Sequence, residues 1–246
     1  CHIFYSYYTS NFDKSLVVSI DGFGDQKSSL ISYFDGKKFQ TLQKVFFPHS
    51  LGIFYQAFTQ FLGFKNYGDE YKVMGMSAYG KKYIKDLDKV IAFDDKSLFK
   101  LNLKFFSHHV NNIEQININS QINYTDLYSK YFVRVFSKYS KFDLAYSVQK
   151  KYEEILFKII NKFSFYSSNL CLTGGCALNS LANGKLYENC PKIKKIHINS
   201  TPHDAGGCIG AVYFYFFYNK KNFLKRINTS FLYTGPKYTN KEVKKY

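Results

Sequence analysis

The sequence holds only four prolines in 246 residues, no Cys-x-x-Cys pair, and no apolar run long enough to cross a bilayer. Each absence excludes a class. With so little proline and 46% apolar residues, the chain reads as globular with a sizeable core rather than disordered. Five cysteines (Cys1, Cys171, Cys176, Cys190 and Cys208) give an odd count without zinc-knuckle spacing. That argues against a disulfide framework and fits a reducing cytoplasm. The longest apolar run, around 210–218, falls short of the roughly 20 residues a spanning helix needs, so no membrane partner is expected. No charged segment precedes an apolar one at the start, as a secretory signal requires. Residue 1 is Cys rather than Met, so a fragment of a longer protein is expected.

Acidic residues are scarce too: 18 against 34 basic ones, a net charge of +16. Such a balance is a lure toward nucleic acid. Yet Lys, Asn, Ile, Tyr and Phe are abundant together along the whole chain, as in an AT-rich genome, and the lysines form no single stripe. A nucleic-acid partner is therefore not expected, while a pull on anionic substrates stays open.

What is present reads as an α/β chain. Residues 16–20 form a β-branched run, with a tight turn expected at 21–25, and 28–34 and 38–42 complete an antiparallel meander. Ser50 is placed to cap a helix with Leu51, Phe54, Tyr55, Phe58, Phe61 and Leu62 on one face, closed by Gly63. Residues 92–141 show no clear period and are expected to be a peripheral insertion, with His108-His109 as surface histidines. Asp143 is expected to cap a long helix whose Leu144, Val148, Tyr152, Ile155, Leu156, Ile159 and Phe163 form a buried stripe.

A buried strand at 169–173 then runs into Gly174-Gly175 and a helix expected over 176–186. A second strand at 195–199 leads through Pro202-His203-Asp204-Ala205-Gly206-Gly207 into an apolar helix. This order implies a parallel half-sheet with ligands at the carboxyl ends of its strands. A Gly-Gly turn entering a helix offers bare N–H groups and a positive dipole end to a phosphate, though the same residues also make an ordinary tight turn.

Taken together, four blocks in order resemble the nodulation-protein and antibiotic-tailoring O-carbamoyltransferase family, whose domain is similar to the tRNA threonylcarbamoyladenosine protein. They are Cys1-His2 through Ser10, Val18 through Gly24, Pro48-His49-Ser50-Leu51-Gly52 through Glu70-Tyr71-Lys72-Val73-Met74-Gly75 and Ala78-Tyr79-Gly80, and Leu172 through Asn183 with Asp204 through Gly207. The resemblance implies an actin-like ATPase-core (ASKHA) fold, two subdomains facing across a cleft, with the first subdomain incomplete here. It implies a partial transferase domain at 1–220 and, at 221–246, the start of a linker toward a YrdC-like domain.

The implied reaction takes carbamoyl phosphate and ATP, forms carbamoyl-adenylate in the YrdC-like domain, and moves the carbamoyl group to an acceptor hydroxyl. An iron(II) or similar divalent ion near the phosphates is implied, held by His2, Asp21 and Asp204; the family's partner histidine four residues before His2 would precede the chain. Asp21 and Lys72 are the implied catalytic residues, and Gly22, Gly174, Gly175, Asn179 and Gly206 the implied nucleotide contacts. Glu70 joins Lys72 as a candidate for substrate contact, an internal salt bridge being the alternative. On their own, His2 reads equally as a terminal histidine, Asp21 as a turn residue, Asp204 as a helix cap, and Asn179 as a cap or surface residue. Alternatives to small-molecule transfer are a threonylcarbamoyl-transfer relative acting on tRNA and a non-catalytic nucleotide-binding remnant.

Overall fold

A computed structural model describes residues 1–111, 113–118, 121–219, 236 and 238–244. Most of the tail expected as a linker lies outside the described residues. The chain begins with helix α1 (His2–Thr9) and an antiparallel meander, β1 (Ser15–Gly24), β2 (Lys27–Phe34) and β3 (Phe39–Phe46). Helices α2 (Leu51–Phe61) and α3 (Glu70–Met76) follow, then hairpins β4 (Ile91–Asp94) with β5 (Leu98–Leu101) and β6 (Gln115–Ile118) with β7 (Gln121–Tyr124). Helices α4 (Lys130–Phe136) and α5 (Lys141–Phe163) lead to β8 (Asn169–Thr173). After it come α6 (Ser180–Gly184), α7 (Leu186–Asn189), β9 (Lys195–Ile198), α8 (Gly207–Asn219) and α9 (Asn240–Val243).

One mixed sheet of order β3-β2-β1-β8-β9 organises the fold, with β1, β8 and β9 parallel. Side chains alternate across β1, as a pleated strand requires. Leu16, Val18 and Ile20 face a core shared with α2 and α5, while Val17 joins Ile3, Phe4, Tyr7, Phe34 and Tyr213 on the other side. On that second side α1 and α8 are bound by aromatic contacts: Tyr7 stacks on Phe34 at 3.8 Å and Tyr8 on Tyr213 at 4.7 Å between ring centres. The expected α5 stripe is buried in full, from Leu144 to Phe163. Each fully buried Leu or Ile there stabilises the fold by roughly 1.5–3 kcal/mol.

Four local expectations need correction. The first strand runs straight through Asp21–Gly24, with a register shift after Ile20, and turns instead at Asp25-Gln26, whose φ values are 49° and 65°. Two polar residues thus take the left-handed turn that would ordinarily favour glycine. Ser140, not Asp143, precedes α5; Asp143 accepts from the backbone N–H groups of Lys81 and Lys82 and pins that loop to the helix. The 92–141 segment is no peripheral insertion, because Phe99, Phe105, Phe106, Phe132 and Phe136 fill the main core. His108 is buried, its Nε2 2.9 Å from the Pro48 carbonyl and its ring packed against Phe23. Among the described residues no helix is long and apolar enough to cross a membrane.

Candidate metal centre and cleft

Three elements converge where the parallel strands end. His2 opens α1, Asp21 sits late in β1, and Asp204 lies in the 3-10 turn between β9 and α8. His2 Nε2 is 2.9 Å from Asp21 Oδ2 and 3.3 Å from Asp204 Oδ1. One ligand atom from each of the three lies within 4.8 Å of the others.

Local contacts explain why they meet. The Ser50 hydroxyl accepts from Ile53 N–H, capping α2 as expected, and donates to the Asp21 and Gly22 carbonyls. Gly52 allows this approach: a Cβ there would come within 2.8 Å of the Asp21 carbonyl oxygen. On the other side, Pro202 O accepts from Gly174 N–H and from the Thr173 hydroxyl, and the Tyr5 hydroxyl bonds Thr201 Oγ1 at 3.0 Å. The Asp204 loop is thereby tied both to the Gly-Gly turn and to the helix that carries His2.

The cluster is rich in negative charge. Burial alone would raise the Asp21 carboxyl, but the hydrogen bond from His2, the Gly22 N–H, the nearby His2 ring and the Gly175 N–H hold it below its ordinary value. Asp204 is largely exposed, and His2 Nδ1 is buried without a hydrogen-bond partner among the described residues. One imidazole and two carboxylates fit a borderline divalent ion. Ligand atoms about 2.0–2.2 Å from such an ion stand about 3 Å from each other, comparable to the two distances from His2 to the carboxylates.

Beside the cluster opens a cleft of about 740 Å³, lined by Asp21, Gly22, Gly175, Asn179 and Asp204 together with Glu70 and a set of aromatic side chains. Burial, reinforced by the charge of Asp69, pushes the Glu70 carboxyl up against the weaker effect of its own backbone N–H. No ion pair engages Glu70 among the described residues. The cleft floor includes Tyr55 and Tyr152, both buried, and its rim includes Tyr67 and Tyr71, both largely exposed.

Not every expected site residue arrives here. Lys72 Nζ is held 2.7 Å from Asp69 Oδ1 and does not line the cleft, so the structure shows the salt bridge that was the alternative reading. Gly206 is away from the lining; a Cβ there would strike the Tyr5 ring and the Thr201 carbonyl, which makes it a packing glycine. Gly174 has φ +86°, and its Cβ would run into the Ile20 carbonyl. Gly175 does line the cleft, with its N–H turned to the Asp21 carboxylate.

The helix expected directly after Gly-Gly is a 3-10 turn (Gly175–Leu178) followed by the short α6 and α7. The N–H groups of both glycines therefore serve protein acceptors, and no long helix dipole begins at this turn. Asn179 caps α6 through Ala182 N–H and forms a reciprocal amide pair with Gln149, at 2.9 and 3.0 Å. Gln149 also accepts from the Tyr55 hydroxyl and donates to Glu153, to which Lys185 is bound. Sequence reading missed this network and the rim tyrosines. The available signal was a tyrosine at 67 in a turn-rich stretch between Gly63 and Gly68, where no core stripe claims it.

The family model described as carbamoyltransferase N-terminus matches residues 1–213. The chain is 32% identical over 254 aligned positions to uncharacterized protein sll1178 of Synechocystis sp., covering all of this chain and 40% of that protein. It is 31% identical over 217 positions to nodulation protein NolNO of Sinorhizobium fredii, covering 85% of this chain and 29% of that protein. With nodulation protein NolO of Bradyrhizobium diazoefficiens it shares 31% over 215 positions, covering 85% of this chain and 36% of that protein. The chain thus spans less than half the length of these relatives. A crystal structure of T. kodakarensis HypF overlaps it with a TM-score of 0.41 at 12% identity, covering 89% of this chain and 37% of that one.

Proposed function

This chain belongs to the carbamoyltransferase N-terminal family, and from that premise we propose that it is the transfer module of an ATP-dependent O-carbamoyltransferase. In this reading the fold is of the actin-like ATPase-core type, with 1–220 as the transfer domain and 221–246 leading toward a YrdC-like domain. In that second domain, in the cytoplasm, water releases phosphate from carbamoyl phosphate, and the carbamate oxygen then attacks the α-phosphorus of ATP, giving carbamoyl-adenylate as pyrophosphate leaves. The mixed anhydride then enters the cleft. An acceptor hydroxyl oxygen bonds to the carbamoyl carbon as the bond from that carbon to the AMP oxygen breaks; AMP leaves and the hydroxyl proton passes to solvent.

The observation that carries this reading is the convergence of His2, Asp21 and Asp204 at the mouth of a cleft large enough for a nucleotide and an acceptor. These three residues would hold an iron(II) or similar divalent ion. When bound, such an ion supplies Lewis-acid stabilisation of negative charge on carbonyl or phosphate oxygens. The Gly175 and Gly22 N–H groups orient the Asp21 carboxylate for that task. Gly22 leaves open space beside the cluster, so its backbone can approach a ligand closely. Asn179, engaged with Gln149, Ala182 and the Tyr55 hydroxyl, lines the cleft where a ribose or base would lie.

The test uses the full-length protein with carbamoyl phosphate labelled in its carbonyl carbon, ATP, iron(II) and a sugar acceptor. Label entering the sugar with AMP released one for one supports the reading. AMP release with all label recovered as carbon dioxide, whatever sugar is supplied, would overturn it.

A further inference from the structure

Two polar residues on one face of α5 are buried without lining the cleft. Gln149 and Glu153, one helical turn apart, are 2% and 4% exposed. A buried carboxylate is costly unless it is paired and hydrogen-bonded. Glu153 is both: its Oε1 accepts from Gln149 Nε2 at 2.9 Å and from Lys185 Nζ at 2.6 Å, and its Oε2 lies 4.0 Å from Lys150 Nζ. Lys185 directly follows α6, the helix that Asn179 caps at its other end. The Lys185–Glu153 and Asn179–Gln149 contacts therefore fasten both ends of α6 to α5.

Taken alone, the paired amides of Gln149 and Asn179 could run in either of two directions, because exchanging oxygen for nitrogen in both preserves the two bonds. The groups at the two ends of the pair select one. A carboxylate at Glu153 only accepts, so it faces the NH2 end of Gln149. The Ala182 N–H only donates, so it faces the Asn179 oxygen, at 3.0 Å. Both demand the same direction. It leaves the Gln149 oxygen to the Tyr55 hydroxyl, which donates to it at 2.8 Å. Reversal would set two oxygens together at Glu153 and two donors together at Ala182. Of these residues Asn179 and Tyr55 line the cleft, whereas Gln149, Glu153 and Lys185 do not.

We propose that Glu153 and Lys185 are positioning residues: Glu153, paired with Lys185, sets the direction of the Gln149–Asn179 amide pair and so fixes Asn179 and Tyr55 for the nucleotide in the cleft. The nucleotide as ligand rests on the carbamoyl-transfer reading; the direction of the amides does not. Without Lys185, the carboxylate would stay buried and lose its closest counter-charge.

The test uses the full-length protein, with AMP and Mn(II) as calorimetric probes and the side-chain amide signals of Gln149 and Asn179 followed by NMR. Glu153→Gln keeps the shape but offers an end that both donates and accepts, so either amide direction becomes possible. It should weaken AMP binding by about threefold to tenfold and shift or split both amide signals, with Mn(II) affinity unchanged. Lys185→Met, at a partly exposed position, should weaken AMP in the same range, while Lys185→Arg, which keeps a donor for Glu153, should bind AMP as the unmodified protein does. Equal AMP affinity in the unmodified protein, Glu153→Gln and Lys185→Met would overturn the positioning role, and so would unshifted, single amide signals in Glu153→Gln. A loss of Mn(II) affinity as large as the loss of AMP affinity would also overturn it, since that would mark a general loosening of the fold. If the unmodified protein bound no AMP, the transfer reading would fall, and the amide signals would still decide whether Glu153 sets the direction of the pair.

Discussion

His2 Nε2 stands 2.9 Å from Asp21 Oδ2, joining the first turn of a helix to the late part of the strand that follows it. Nothing but the approach of α1 to the sheet brings them together, so the pair reports directly on the tertiary fold. Asp21→Asn should therefore weaken Mn(II) binding by about tenfold or more in a calorimetric titration, since it removes a charged ligand atom. Lys72→Ala, whose ammonium pairs with Asp69 and sits over the Phe64 and Tyr71 rings away from the cluster, should leave that affinity unchanged.

Lys151 supplies a test through pH. Its buried ammonium is shared by Asp88 and Glu154 at 2.5 and 2.7 Å. Burial would raise both carboxyls, yet the bonds from Lys151, with Tyr83 on Asp88 and Lys158 on Glu154, bring them below their ordinary values. A carboxylate with a depressed folded value contributes stability that is complete above its unfolded value, about 4, and lost as pH falls through the folded one. Lys151→Met should lower Tm at neutral pH by about 2–4 °C, the shift that 1 kcal/mol produces in a domain of this size. The gap from the unmodified protein should narrow below about pH 4. A gap that stays constant from pH 7 to 3 would show the lysine to be a spacer rather than a counter-charge.

Gly174→Ala should be far more damaging than Gly184→Ala. At Gly174 the backbone has φ +86° and a Cβ would meet the Ile20 carbonyl, whereas nothing lies within 4 Å of a Cβ at Gly184. Chemical denaturation should show a loss of about 2 kcal/mol or more for the first and a change within about 1 kcal/mol for the second.

Gln149→Leu should cost about 1–3 kcal/mol of stability by stranding the Tyr55 hydroxyl and the Asn179 amide. Asn179 would keep its cap on α6 but lose the partner that fixes its amide orientation. The predicted functional mark is weaker AMP binding with metal affinity intact.

Much of the scaffold was legible in the sequence because it depends on local rules. The 3.6-residue stripe from Leu144 to Phe163, the Ser50 cap with Gly63 after the helix, and the strands around 16–20, 28–34 and 169–173 each follow from periodicity or turn chemistry. The misread parts depend on long-range packing. The phenylalanines of 99–136 show no period because they enter the core from hairpins and short turns rather than from one face. Asp143 looked like a cap, but its partners are backbone groups 61 and 62 residues away. At the site, His2, Asp21 and Asp204 were placed by family resemblance and the fold brings them together, whereas Lys72 and Gly206 were placed the same way and stand apart. The edge-to-face pair of Tyr67 and Tyr124, 5.7 Å apart, was invisible because it exists only through pairing of two segments distant in sequence.

The proposed carbamoyl transfer takes place at the His2–Asp21–Asp204 cluster. The most direct measurement is the rate at which labelled carbamoyl reaches a sugar hydroxyl in the full-length protein and in its Asp204→Ala variant, with iron(II), ATP and carbamoyl phosphate saturating. Asp204 is largely exposed, its side chain is paired with His2, and its backbone contact to Gly207 survives the substitution, so the variant should fold normally. Transfer should fall by about a hundredfold or more. Transfer at the unmodified rate in Asp204→Ala would contradict that assignment.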